Sequence, residues 1–173
     1  WRSPKIIREK MGMRSKERSV KLHHDAQTLI GQGLNAKAAK KLDSSISADG
    51  KNINAIVDRM NLAAKENDFK SISEIAEKLI AEEPKHKTYI LSHACKLLID
   101  LKEYSLAQKF ADQLIEDSSK NAEARNLSFV IKSAVGDPSI IGQLPKYAKT
   151  IDGKILSKTI LKLSKKLRGQ KTV

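Results

Sequence analysis

The stretch FKSISEIAEKLIAEE, residues 69–83, returns 35 residues later in altered form as YSLAQKFADQLIED, residues 104–117. Phe69 aligns with Tyr104, and both segments continue with apolar residues at matching positions before they close on acids. Self-similarity at a fixed period of roughly 20–50 residues is typical of stacked structural repeats. The sequence therefore predicts an all-α fold of stacked antiparallel helical hairpins, an α-solenoid. Units of this kind act as adaptors more often than as enzymes.

The size and composition fit such a fold. A chain of 173 residues can form one domain with a real core, and only 4% of its residues are aromatic, which suits helices closed by small side chains. Its one cysteine, Cys95, cannot form an internal disulfide, so nothing indicates an oxidising compartment. Because Cys95 lies within an apolar run, we expect it to be a small buried side chain.

Apolar residues recur at three- and four-residue steps along most of the chain, as helices with one buried face require. No segment alternates with a period of two, so we expect essentially no sheet. Pro145 must kink or split any helix formed around residues 140–148. The other predicted helices cover residues 20–30, 35–46, 53–64, 69–80, 86–101, 104–115, 122–135 and 155–167.

These helices have predicted inward faces. Residues 5–19 are mostly polar and cationic, so we expect them to form an exposed helix of their own. The first buried face carries Val20, Leu22, Ala26, Leu29 and Ile30, and the next carries Ala36, Ala39, Leu42 and Ile46. Between the later helices we expect Ala76, Leu79, Ala94, Leu98, Ala111 and Leu114 to be buried.

Positive charge is concentrated at the two ends of the chain. The net charge is +13, of which residues 1–21 carry +6 and residues 146–173 carry +8, leaving −1 for the middle. Three interpretations are open: a surface next to anionic lipid headgroups, a surface for nucleic acid, or lysines that simply solvate helix faces. Nucleic-acid binding is the least favoured, because Tyr147 is the only aromatic in the basic C-terminal segment that could stack on bases.

Residues that could carry chemistry are scarce. His23 and His24 are adjacent on a helix, so their side chains point about 100° apart and cannot converge on one metal ion. Gly31 and Gly33 lack the rest of a phosphate-binding loop and are better explained as a helix end. We therefore expect neither a catalytic site nor a metal, and no cofactor.

The middle of the chain resembles tetratricopeptide repeats. The residues that carry the resemblance are Tyr104, Ala107, Ala111 and Leu114 on a second helix, with Leu91, Ala94, Cys95 and Leu98 on the first. Arg59 and Ile72 depart from the family pattern, so the repeats are degenerate. In that family the first helix of each hairpin lines the concave surface. The resemblance thus implies protein-binding positions at Asn54, Asn61, Lys65, Tyr89, Ser92 and Lys96.

The chain as a whole is similar to the HemY family, membrane-bound repeat proteins of proteobacteria associated with late haem biosynthesis. The matching motifs are Trp1-Arg2-Ser3-Pro4 before a basic helix, residues 26–33 with Ala38-Ala39, and Leu144-Pro145-Lys146 after Gly136-Asp137. The resemblance implies a membrane anchor before residue 1. It also implies a membrane-proximal basic segment on the cytoplasmic face of the inner membrane. That segment contains Trp1, Arg2, Lys5, Arg8, Lys10 and Arg14.

The sequence thus predicts two parts: a basic juxtamembrane-like helix at residues 1–19 and a helical-repeat domain at residues 20–173. The expected function is a non-catalytic scaffold that binds other proteins through the repeat groove and an anionic membrane surface through residues 1–19. The alternative is a soluble RNA- or ribosome-associated protein that uses its cationic ends.

Overall fold

The structure is a computed structural model that describes residues 4–82, 84–117, 121–147, 156–158, 160–161 and 164–165. Side chains are described within these ranges except at residues 4–10, 82, 84, 146 and 147. Every regular element in this part of the chain is helical, which confirms the all-α prediction. The elements are α1 (Pro4–Gly31), α2 (Asn35–Ala48), α3 (Ile53–Lys65), α4 (Phe69–Glu82), a 3₁₀ turn (Pro84–His86), α5 (Lys87–Asp100), α6 (Tyr104–Asp117), α7 (Ala122–Val135) and α8 (Ser139–Tyr147).

Four tight turns join these helices into hairpins, and all four are built in the same way. Each has one residue in the left-handed region, namely Gly33, Asn67, Lys102 and Gly136, with φ between 56° and 75°. The residue after it donates its main-chain N–H to a carbonyl five residues back. These bonds are Leu34 to Leu29 at 2.9 Å, Asp68 to Ala63 at 2.9 Å, Glu103 to Leu98 at 2.8 Å, and Asp137 to Lys132 at 2.9 Å.

This closure is the hydrogen-bonding pattern of a Schellman-type helix end, which satisfies carbonyls that the last helical turn leaves open. Along the chain the left-handed residues follow one another at 34, 35 and 34 residues. The repeat found in the sequence between Phe69 and Tyr104 is therefore one interval of a regular series of hairpins: α1–α2, α3–α4, α5–α6 and α7–α8. This confirms the prediction of helical hairpins.

Side-chain caps fix where several helices begin. Asn52 accepts a hydrogen bond from the N–H of Ala55 at 3.2 Å at the start of α3, and Asn121 accepts one from Ala124 at 3.1 Å at the start of α7. These amide side chains satisfy N–H groups that have no partner within the helix. The caps therefore repeat on the first helices of the second and fourth hairpins.

The chain divides into two compact units, residues 1–90 and residues 91–173. In the first unit Ala26, Ala38, Leu42, Ala55 and Leu62 form a buried cluster, in which alanines allow close helix contact. In the second unit Phe129 packs with Ile140, and Leu144 and Leu156 cover them. All six residues predicted to lie between the later helices are at most 1% exposed, as expected: Ala76, Leu79, Ala94, Leu98, Ala111 and Leu114.

The predicted inward faces of the first hairpin were partly wrong. Val20 is 57% exposed and Ala36 is also exposed, whereas Ser19, Ala38 and Ser45 are buried. The reason is that two serines take positions in the close contact between α1 and α2, where a periodicity argument counts only apolar residues. The contact face of α1 therefore includes position 19 and excludes position 20.

The end of the described hairpin series also differs in detail from the prediction. Helix α8 runs from Ser139 to Tyr147 and contains Pro145 in its last turn, so the proline neither splits the helix nor starts a new one. A proline lacks the N–H that would bond four residues back, and its ring crowds the carbonyl there, which in α8 is that of Ile141. Of the predicted helix at 155–167, residues 156–158, 160–161 and 164–165 are helical, and the others lie outside the described residues.

Candidate functional site

The candidate contacts on α3 lie on the side of that helix turned away from its core face. Ala55, Ile56, Met60 and Ala63 are buried, whereas Asn54 and Lys65 are exposed. Asn61 is partly exposed and makes a further interaction of its own. The structure thus places Asn54, Asn61 and Lys65 on the same side of α3, away from its core face.

The candidate contacts on α5 differ in how exposed they are. Tyr89 is 54% exposed, and Lys96 is exposed with its Nζ 2.6 Å from Oε1 of Glu123 on α7. Ser92 is only 5% exposed, and its Oγ has no hydrogen-bond partner among the described residues. Tyr89 and Lys96 therefore present surface, whereas Ser92 belongs to the packed side of α5.

The basic residues predicted to lie near a membrane are described only in part. Trp1 and Arg2 lie outside the described residues, and the side chains of Lys5, Arg8 and Lys10 do so too. Arg14 is described, and it is exposed, as are all the side chains from residue 11 to residue 18. Among the helices that the structure describes, none is both long enough and apolar enough to cross a bilayer.

His23 has a structural contact that the sequence did not reveal. Its Nε2 lies 2.7 Å from Oδ2 of Asp58 on α3, and Gln27 donates to the same oxygen at 3.2 Å. His24 is exposed instead, as expected for the next residue on a helix. No group of three potential metal ligands occurs in the described part of the chain. The histidine therefore joins two helices.

The α1–α2 contact contains a buried polar cluster, which we call the serine clamp: Ser19, Ser45 and Asn52. The Ser19 hydroxyl donates to the Ser45 carbonyl at 2.9 Å, and the Ser45 hydroxyl donates to the Ser19 carbonyl at 2.8 Å. The Asn52 side-chain amide donates to the Ser19 hydroxyl at 3.0 Å. Each hydroxyl proton is thus engaged by a main-chain carbonyl across the helix contact. The clamp fixes Asn52, which also caps α3.

Two surface hollows lie beside the clamp. The first, which we call the turn pocket, has a volume of about 600 Å³ and lies between α1 and the α2–α3 turn. The second, the outer hollow, has a volume of about 640 Å³ and lies on the side of α1 away from the core. Both are lined by Lys16 and Val20. The apolar periodicity of α1 does not indicate these hollows, because it assigns Val20 to the core. Asn54 of the predicted binding set lines the turn pocket.

Two titratable groups on α5, Cys95 and His93, have pKa values that burial shifts. Burial raises the pKa of Cys95 to about 12, and its thiol lies 3.3 Å from the Ala107 carbonyl, so it is protonated at neutral pH. Burial lowers the pKa of His93, and the nearby Lys96 lowers it further. A thiol in this state is neither a nucleophile nor a metal ligand.

Comparison with known proteins adds no assignment: no protein-family model and no curated protein sequence matches this chain.

Proposed function

We propose that this protein is a scaffold without catalytic activity that binds another protein through the first helices of its hairpins. The observation that carries the proposal is the exposure of Tyr89, at 54%, on α5. A tyrosine offers a large rigid contact surface with a polar tip, and tyrosines are enriched among the residues that dominate binding energies at interfaces.

The other side chains of α3 and α5 also support a role in protein binding. Most apolar residues of α3 and α5 are buried or partly buried. The exposed candidate positions on each helix carry amide, ammonium and phenol groups. Such groups supply hydrogen bonds and charge at an interface without exposing the core to water. The periodic turns repeat this arrangement along the chain, as helical-repeat proteins do when they present a binding surface.

The experiment is a pull-down with a bound partner identified by mass spectrometry, repeated with Asn61, Tyr89 and Lys96 all changed to Ala. We expect the triple variant to lose that partner while its melting temperature stays close to that of the wild type. The matched control changes Lys78 and Glu77 on α4, both exposed, to Ala. Equal binding by the triple variant and the wild type would show that these residues are not the site.

We further propose that the N-terminal end of α1 lies next to an anionic membrane surface. Its support is the pair of exposed cations Arg14 and Arg18, which lie one turn apart on a different side of α1 from Met13 and Val20. The HemY resemblance extends this proposal to the bacterial inner membrane and to late haem biosynthesis. Cations near a charged bilayer contribute about 1 kcal/mol each, and this attraction weakens as salt rises.

Vesicle binding tests the membrane proposal in the full chain. Reversing the charges of Arg8, Lys10 and Arg14 to Glu should abolish binding to vesicles that contain phosphatidylserine. Deletion of residues 1–19 is less suitable because it would remove Ser19 and so break the serine clamp. Specific RNA binding at physiological salt, lost when Lys158 and Lys165 are changed, would favour the alternative function instead.

A further inference from the structure

The two hollows on α1 form one continuous surface, because Lys16 and Val20 line both. We call this surface the α1 face. Its members on α1 are Gly12, Met13, Ser15, Lys16, Glu17, Val20, Lys21 and His24, and residues 49 and 51–54 of the α2–α3 turn complete it.

Two apolar side chains stand out on this face. Met13 is 62% exposed and Val20 is 57% exposed. They are seven residues apart, which places them on the same side of the helix at a rise of about 10.5 Å. Hydrophobic side chains at this spacing suit contact with another helix, and methionine adapts readily to the shape of a partner.

Charge surrounds these apolar side chains, and the positive sign predominates. Lys16 and Lys21 lie beside Val20 with Glu17 as the only acid of the outer hollow. In the turn pocket the two cations Lys16 and Lys51 outnumber the acid Asp49. An acidic partner complements such a surface, and like charges would repel a basic one.

The shape of the face favours a polypeptide over a lipid bilayer. Helices that lie in a bilayer surface present a wide apolar stripe. On α1, Lys16 and Glu17 separate Met13 from Val20, so no such stripe exists. The turn pocket, of about 600 Å³ between α1 and the α2–α3 turn, instead provides room for side chains of a docking helix.

We propose that the α1 face docks an acidic amphipathic helix of a partner protein. The apolar residues of that helix would enter the hollows around Val20, and its Glu or Asp side chains would meet Lys16 and Lys21. This deepens the proposed scaffold function and rests on it, because it assigns a second docking surface and the chemistry of what binds there.

The test uses the full chain and a fluorescein-labelled synthetic helix with Leu at three- and four-residue steps and Glu on its flanks. Binding is followed by fluorescence anisotropy. Changing Met13 and Val20 together to Ser should weaken binding about tenfold or more, and so should changing Lys16 and Lys21 to Glu. A peptide with every Glu replaced by Lys should not bind. Unchanged binding by both variants, or equal binding of the Lys peptide, would overturn the proposal.

Matched controls locate the effect on this face. Changing Lys37 and Lys40, which are exposed on α2, to Glu removes the same charge and should leave peptide binding within about twofold. A Val20→Cys variant should form a mixed disulfide with a peptide whose cysteine is activated as a pyridyl disulfide. A Lys37→Cys variant should form far less. Cys95 should not form a mixed disulfide with the peptide, because it is fully buried. Equal trapping at both positions would contradict docking at Val20.

Two further measurements separate this proposal from the proposed binding site on α3 and α5 and from the proposed membrane contact. The Asn61, Tyr89 and Lys96 triple variant should bind the peptide normally, so failure of the scaffold site and failure of the α1 face are distinguishable. Vesicles of phosphatidylserine and phosphatidylcholine form the lipid arm. If the Met13 and Val20 variant loses vesicle binding and keeps peptide binding, the face contacts lipid and the proposal is wrong.

Discussion

Replacing Ser19 with Ala tests the serine clamp, the polar contact that fixes α1 against α2 and the α2–α3 turn. Ser19 and Ser45 are both fully buried. The change removes the Ser19 hydroxyl's bond to the Ser45 carbonyl, at 2.9 Å, and the bond it accepts from Asn52, at 3.0 Å. The Ser45 carbonyl keeps the N–H of Asp49 at 3.0 Å, but the Asn52 amide keeps only the Ser45 hydroxyl at 3.4 Å.

The expected magnitude follows from these two losses. Each buried hydrogen bond contributes about 0.5–1.5 kcal/mol net, so Ser19→Ala should lower the free energy of unfolding by about 1–3 kcal/mol. Ser45→Ala removes the bond to the Ser19 carbonyl and the longer bond from the Asn52 amide, and it should cost about 1–2 kcal/mol. The two hydroxyls lie 3.0 Å apart and both accept from the Asn52 amide, so the two losses are coupled and the cost of the double variant should differ from their sum.

Urea denaturation followed by helical circular dichroism measures these free energies. Ser44→Ala is the matched control: its hydroxyl is exposed and bonds only to the Lys40 carbonyl of its own helix, so its cost should stay within about 0.5 kcal/mol. The reasoning is refuted if Ser19→Ala costs no more than this control. It is also refuted if the double variant is no less stable than Ser19→Ala alone.

Four further predictions concern the fold. Gly12→Ala should raise the free energy of unfolding by about 0.5–1 kcal/mol, because Gly12 lies inside α1 with open space around a new Cβ. Gly33→Ala should lower the free energy of unfolding, because φ is +74° at this position. Both are measured by urea denaturation, and the same sign for both would contradict this account. Ala111→Trp should cost roughly 1–3 kcal/mol or more by overpacking a fully buried position, measured in the same way; a neutral effect would contradict the packing. Cys95 should react with a thiol reagent only as fast as the protein unfolds, and rapid reaction of the native protein would contradict its burial. Bonds from Ser71 lower the pKa of Asp68 at the start of α4, so the stability difference between wild type and Asp68→Ala should be largest at neutral pH and shrink as pH falls from the ordinary value of 3.8 through the lowered pKa. A difference of the same size at neutral and acidic pH would show that the charge of Asp68 does not contribute to the cap.

The sequence predicted the helices well because periodic apolar residues and turn residues agree along most of the chain. Gly33 signalled a helix end, and Gly136 directly follows the predicted helix at 122–135, since glycine adopts positive φ without strain. The full series of turns was harder to find, because Asn67 and Lys102 take the same conformation with quite different side chains. Main-chain hydrogen bonds define the repeat in the structure. Because many residue types can form such bonds, they leave little trace in the sequence.

The serine clamp and the α1 face could not be predicted, and for one physical reason. Periodicity assigns apolar residues to the core and polar residues to water, so it placed Val20 inside and Ser19 outside. In the structure the serines bond across a close helix contact, and this leaves Val20 on the surface. Likewise Ser92 was expected on the exposed side of α5 but lies in the packing.

The central claim, that the first helices of the hairpins hold a partner protein, is tested most directly by photo-crosslinking in cells. A photoreactive phenylalanine analogue replaces Tyr89, and in a matched control it replaces Lys78 on α4, which is also exposed. The account predicts a discrete crosslinked protein from position 89 and none from position 78. A discrete product from position 78 alone, or no product from position 89, would contradict it.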